Sequence, residues 1–143
     1  MAAQKIYRGI HSLKSDSKGR LNLPASLGCK DLDGLVLISH PEQPAIIARE
    51  QFISDEATDT LTAMFSQFSK IDPDGRILLN AEQRDKIQLK RGEAVTIVGM
   101  KNHFQIWSTA NWKIVEPLYA DELVRRLTSN LDVFVPGKNR SPS

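Results

Sequence analysis

A short pattern occurs twice in this chain, and that duplication limits the possible folds more than any other feature. Asp16-Ser-Lys-Gly-Arg-Leu-Asn-Leu-Pro24 returns as Asp72-Pro-Asp-Gly-Arg-Ile-Leu-Leu-Asn80, with the two aspartates 56 residues apart. Each copy is an Asp, three positions ending in Gly, an Arg, and then large apolar residues. Repetition at this period identifies one supersecondary unit used twice. The likeness continues: residues 34–40 and 45–48 correspond to 93–99 and 104–107, with Val36 and Val95 now 59 apart. Three extra residues are therefore expected in the second copy, in the helical stretch after its motif.

The local patterns support strand-rich halves. Arg20-Leu-Asn-Leu23 alternates with period 2, the mark of a half-buried strand. Gly19 supplies the positive φ that a tight turn before it often needs. Pro24 ends that strand or opens a short helix. Residues 6–13, 35–38 and 45–48 read as further strands of the first half, and 68–72, 76–79, 95–98 and 104–107 as strands of the second. Between the halves Leu61, Met64, Phe65 and Phe68 fall at i, i+3, i+4 and i+7, which predicts one apolar face of a helix. A short helix is expected over 81–87, and another from Ser108 or Thr109 through Trp112 and Val115, broken or restarted at Pro117. Ala120, Leu123, Val124 and Leu127 make a further amphipathic stripe. The expected organisation is a first repeat over 1–56, a linking helix over 57–67, a second repeat with its C-terminal helix over 68–128, and a disordered tail over 129–143.

Composition narrows the function classes. The 143 residues are 41% hydrophobic and 25% charged, ordinary for a globular chain with a real core. No apolar run reaches the length of a membrane span or a secretory leader, so the expected location is the cytoplasm. The single cysteine, Cys29, has no disulfide partner and reads as a small semi-buried residue. His11, His40 and His103 are isolated, with no second ligand at metal-binding spacing, so neither a metal nor another cofactor is expected. No phosphate-binding loop, dinucleotide fingerprint or nucleophile elbow is present, and the chain is not expected to be an enzyme or to take a small-molecule substrate.

Net charge is only +2, but it is unevenly spread. Lys5, Arg8, His11, Lys14, Lys18 and Arg20 crowd the first 20 residues, where Asp16 is the one acid. Such a block attracts phosphates. The repeated motif itself supports two readings. In one, Asp16 and Asp72 accept turn N–H groups, Gly19 and Gly75 permit the turns, and Arg20 and Arg76 pair across the strands. In the other, the same arginines point from the hairpin tips into a ligand, since a guanidinium fork suits phosphate oxygens and guanine edges. Lys14 and Lys18 flank Arg20, whereas Asp74 stands where Lys18 does, so the first copy is the more cationic. Trp107 and Trp112 read as packing residues.

Asp16-Ser-Lys-Gly-Arg-Leu-Asn-Leu-Pro24 and Asp72-Pro-Asp-Gly-Arg-Ile-Leu-Leu79, with Val95-Thr-Ile-Val-Gly99, Phe104-Gln-Ile-Trp107 and Trp112, together resemble the MraZ family. The resemblance runs from about Tyr7 to Leu127. It implies a mixed α/β fold made of two AbrB-like swapped-hairpin repeats in one chain. It also implies a DNA-binding transcriptional regulator of the division and cell-wall gene cluster, usually a repressor. Such a regulator would bind direct repeats in promoter DNA as a ring-shaped homo-oligomer, often an octamer, associated with the nucleoid. The family's arginine carries over to Arg20 and Arg76; Lys14, Lys18 and Arg8, from the basic N-terminal block, are expected to contact phosphates. The competing reading is an antitoxin-like or protein-interaction ring whose arginine tips meet another protein. Asn80 stands where the family has Pro, and Gln105 where it has Glu.

Overall fold

A computed structural model describes residues 5–50 and 63–129. The chain divides into two compact units, one through Asn111 and one from Trp112. The first unit holds eight strands among the described residues: β1 (Ile10–Lys14), β2 (Arg20–Asn22), β3 (Gly34–Ser39), β4 (Ala45–Arg49), β5 (Ser66–Lys70), β6 (Arg76–Leu78), β7 (Ala94–Gly99) and β8 (Phe104–Ser108). A 3-10 helix, Ala25–Leu27, follows β2, and an α-helix, α1 (Ala81–Lys86), follows β6.

Six strands form one antiparallel sheet in the order β1-β7-β8-β4-β3-β5, and β2 pairs with β6 in a separate ribbon. Each half gives its leading strand to the other: β1 pairs with β7, and β5 with β3. The centre joins β4 to β8, and the ribbon joins the two motifs. This exchange is the swapped-hairpin arrangement, closed within one chain around a pseudo-two-fold axis.

The registers fix the internal alignment and correct the uniform offset of 59. β1 and β2 map onto β5 and β6 at 56, as expected. Their successors differ: β3 maps onto β7 at 60 and β4 onto β8 at 58. Leu35 and Leu37 thus correspond to Val95 and Ile97, and Ile46 and Ala48 to Phe104 and Ile106, all core residues. Aligning Val36 with Val95 would set a half-buried side chain against a fully buried one. The four residues gained before β7 are about one helical turn, and a six-residue α-helix replaces a three-residue 3-10 helix there. The β7–β8 loop then gives two residues back.

Leu21 and Ile77 anchor the ribbon to the core, where Leu79, Ile87, Ile97 and Phe104 are also fully buried. Asn80 caps α1 with a complete capping box: its side chain accepts the Gln83 N–H, and Gln83 accepts its backbone N–H. Gln105 is buried and accepts the Trp107 indole N–H at 3.0 Å.

Two helix expectations need revision. Most of the linking helix over 57–67 lies outside the described residues, but Ser66 and Gln67 already belong to β5. Phe68 is therefore a strand residue; its ring lies over Gly34, where a Cβ would overlap it. Pro117 breaks nothing: α2 runs from Thr109 to Ser129 with the proline inside. The Lys113 carbonyl that loses its donor there belongs to an exposed residue, where water can serve. Ser108 caps this helix by accepting the Asn111 N–H at 3.1 Å.

In the second unit Trp112 stacks on Tyr119, centroids 5.6 Å apart, and Glu122 pairs with Arg125 and Arg126. Ile114, Leu118, Leu123 and Val124 are exposed. The expected tail lies outside the described residues beyond Ser129, which is still helical. No helix among the described residues is long and apolar enough to cross a membrane.

Candidate nucleic-acid interface

Both motifs fold into the same loop for the same reason. Asp16 Oδ1 accepts the N–H groups of Lys18 (2.9 Å) and Arg20 (2.8 Å), and Gly19 N–H donates to the Asp16 carbonyl at 3.0 Å. Asp72 repeats this with Asp74 and Arg76, both at 2.9 Å, and with Gly75 N–H at 2.9 Å. Gly19 and Gly75 take φ of +84° and +79°, the left-handed region that side chains disfavour. Each turn is locked to the other half: Leu79 N–H donates to the Gly19 carbonyl and Leu23 N–H to the Gly75 carbonyl, both at 3.0 Å.

The second carboxylate oxygen orients the arginine. Arg20 Nε donates to Asp16 Oδ2 at 2.6 Å, and Arg76 Nε to Asp72 Oδ2 at 2.9 Å. Acceptance of the Arg20 backbone N–H, helped by its guanidinium, pulls the Asp16 pKa down to about 2. Asp72 is lowered by the same contacts from Arg76. Nε of both arginines is held in this way, and Arg76 Nη2 also donates to Asp74 Oδ2 at 3.1 Å.

Alternation along the ribbon sends Leu21 and Ile77 inward and leaves Arg20, Asn22, Arg76 and Leu78 on the outer face. Arg20 is opposite Leu78, and Asn22 opposite Arg76, so the two arginines sit diagonally across one face. Such diagonal neighbours are about 7–8 Å apart. The side chains of Arg20 and Arg76 are 32% and 28% exposed, so neither guanidinium is buried in the core.

The cations fall into two groups. Lys14 ends β1 just before the first turn and Lys18 sits in it, both exposed. Arg8 lies elsewhere: it precedes β1, its backbone against Gly99, with the five residues of β1 between it and the turn. That strand alone spans about 13 Å. Lys5 is occupied by the Gly28 carbonyl and lies 4.0 Å from Glu50.

Three residues of this region escaped the motif reading. Asn22 shares the outer face and was legible as Arg20 plus two. Lys70, exposed, is the counterpart of Lys14 at the 56-residue offset. Arg84 donates from Nη1 to the Leu79 carbonyl and covers Gly19, where a Cβ would overlap its guanidinium; no sequence signal marks it.

The histidines are engaged locally. His11 Nε2 lies 3.0 Å from the Arg8 carbonyl, His40 Nδ1 accepts two loop N–H groups, and His103 Nδ1 lies 2.7 Å from Asn102. Burial lowers the pKa of His103, with Arg49 and His40 adding to the effect. No group of three or more potential metal ligands occurs among the described residues.

Two exchanged halves with an arginine-tipped ribbon define a fused swapped-hairpin module of the AbrB-like kind. A family model for "MraZ protein, putative antitoxin-like" matches residues 64–126. The transcriptional regulator MraZ of Dechloromonas aromatica is 30% identical over 137 residues, covering 82% of this chain and 91% of that protein. Its namesake in an Azoarcus species is 29% identical over 148 residues, covering 91% and 99%, and that of Methylobacillus flagellatus 29% over 127, covering 76% and 84%. The chain belongs to the MraZ family. Its relatives are named as regulators of transcription, not as enzymes.

Proposed function

We propose that this chain is a sequence-specific DNA-binding transcriptional regulator, acting as a repressor at promoter direct repeats of the division and cell-wall gene cluster. The observation that carries this reading is the shared outer face of the β2–β6 ribbon. A two-stranded ribbon is one of the two elements that a major groove admits. This ribbon offers two arginines with their Nε atoms already fixed, and an asparagine between them. Arginine suits guanine O6 and N7, and asparagine suits adenine N6 and N7. Lys14 and Lys18 contact phosphates beside the first turn, and Lys70 beside the second. Arg8 meets phosphate only where the duplex extends past the far end of β1. Asp16 and Asp72 hold the turns and aim the arginines.

Assembly into a homo-oligomeric ring belongs to the same proposal. A ring needs a heterologous interface, with two different patches on each subunit. The halves supply a difference: Met64, Phe65, Phe68 and Leu78 are exposed where the first half has Arg8, Gly9, Ser12 and Asn22. The exposed apolar residues of α2 are a further candidate contact. Work in the cytoplasm at the nucleoid follows from the proposed partner.

The antitoxin-like description of the family model supports a second reading, in which the arginine tips meet a protein. Gel retardation on the region upstream of the chain's own gene separates the two. Retardation that weakens steeply with salt and is lost in Arg20→Ala is expected; a duplex left unbound by the wild-type chain overturns the DNA reading.

A further inference from the structure

The pseudo-two-fold axis relates two clefts, one under each turn, that are furnished differently. The cleft under the second turn, about 540 Å³, is lined by Leu23, Pro24, Lys30, Asp72, Asp74 and Gly75, among others. Applying the internal offsets, its counterpart under the first turn involves Leu79, Asn80, Lys90, Asp16, Lys18 and Gly19. There the Arg84 guanidinium lies against Gly19 and bonds the Leu79 carbonyl. Gly19 is accordingly buried, whereas Gly75 is half-buried and a Cβ on it would meet nothing within 4 Å. The cause lies in the chain: α1 carries Arg84, and the shorter 3-10 helix of the first half ends before any equivalent residue.

We infer that the cleft beneath the second turn is a binding site for the guanidinium group of an arginine side chain borne by another polypeptide. The molecule contains the filled version of this site. Its backbone shape repeats, with Leu23 in the place of Leu79 and Gly75 in the place of Gly19. Its electrostatics favour a cation more than the filled site does. Asp72 and Asp74 line it, each keeping one carboxylate oxygen beyond its ion pair with Arg76, whereas Asp16 and Lys18 stand at the first. Lys30 also lines the cleft and sets one positive charge against the two acids. A guanidinium fits where an ammonium fits less well, since its fork can reach a carbonyl and a carboxylate together. The cleft borders the outer face of the ribbon at Asn22, but the inference does not depend on DNA binding.

The full-length protein, isotope-labelled for NMR, tests the assignment in titrations with N-acetylarginine amide, using the citrulline analogue as the uncharged control. Saturable shifts of the Gly75 and Leu23 amides with the arginine compound alone are expected. In Arg84→Ala the vacated first cleft should respond as well, with a second set of shifts at Gly19 and Leu79. An absence of saturable shifts at Gly75 and Leu23, or an equal response to citrulline, overturns the inference. The wild-type titration decides this even where Arg84→Ala fails to fold. Light scattering in the presence of the arginine compound then identifies the source. A falling mass assigns the arginine to a second copy of this chain, and an unchanged mass to a different protein; both presuppose the shifts.

Discussion

The two turns are built on one backbone plan and differ in what surrounds the arginine. At the first, Arg20 has one acid, Asp16, while Lys18 and Arg84 add positive charge. At the second, Arg76 is shared between Asp72 and Asp74, the latter 3.1 Å from Nη2, and no basic residue covers Gly75. Three cations against one acid become one cation against two acids. A guanidinium already bridged by two carboxylates must give up part of that pairing to reach a base. Duplicated folds thus keep their geometry through backbone bonds and core residues, while exposed positions such as 18 and 74 are free to diverge.

The sharpest test compares Arg20→Ala with Arg76→Ala. Losing a bidentate base contact removes about 1–3 kcal/mol of discrimination per site. Arg20→Ala should therefore abolish specific retardation, while Arg76→Ala leaves weakened binding, and both should retain the wild-type assembly size. Equal losses would break the proposed hierarchy; losses reversed in order would make the second turn the reader.

Next in size is a stability comparison at the sheet edges. Gly34 pairs with Lys70 beneath the Phe68 ring, whereas its counterpart Ala94 pairs with Lys14 beside Ser12. Gly34→Ala would force its Cβ into the ring and against the Ser69 carbonyl, so a loss of about 1–3 kcal/mol is expected. Thermal unfolding should show a lower Tm for this variant, and an unchanged Tm would mean that the strand relaxes freely.

How much of this was readable in the chain depends on which force fixed each part. The repeat, the strands and both Asp-x-x-Gly-Arg turns were legible because local rules set them: alternation, positive φ at Gly, and short-range carboxylate bonds. The true offsets of 60 and 58 were not, because Val36 and Val95 look alike and only burial distinguishes Leu35 as the match. Pro117 misled because helix-breaking is a tendency that a continuing helix overrides when the freed carbonyl belongs to an exposed residue. Arg84 was invisible for a different reason: its contact with Gly19 spans 65 residues and depends on the exchange of β2 and β6. The separation of Arg8 from Arg20 was not legible either, because nearness in sequence is undone by the length of β1.

A smaller effect isolates the charge at position 18. Lys18 is exposed and makes no side-chain bond in the turn; its backbone N–H is what Asp16 holds. Lys18→Ala should therefore leave the turn intact, weaken all duplex sequences alike, and reduce the slope of log K against log salt by about 0.9. The matching change, Asp74→Asn, should act in the opposite direction by releasing Arg76 Nη2, with a gain of a few-fold in binding. A sequence-selective loss in Lys18→Ala would instead make it a base contact.

The smallest effect concerns acid. Asp16 has a folded pKa of about 2, below the unfolded value of about 3.9. A depressed carboxylate contributes stability that is full above its unfolded pKa and fades as pH falls through its folded one. The first turn should therefore be insensitive to pH from 7 down to about 4 and loosen between about 4 and 2. Asp72 is lowered in the same direction by the equivalent contacts, so the second turn should open over an overlapping window. Amide shifts of Gly19 and Gly75, followed by NMR through that range, compare the two directly. Because both carboxylates are only half-buried, the signal is local loosening of each loop before the core unfolds. A Gly19 shift that titrates with a midpoint near 4 would show that Asp16 is not held by the Arg20 N–H in solution. The arginine beside it would then have lost the contact that aims it.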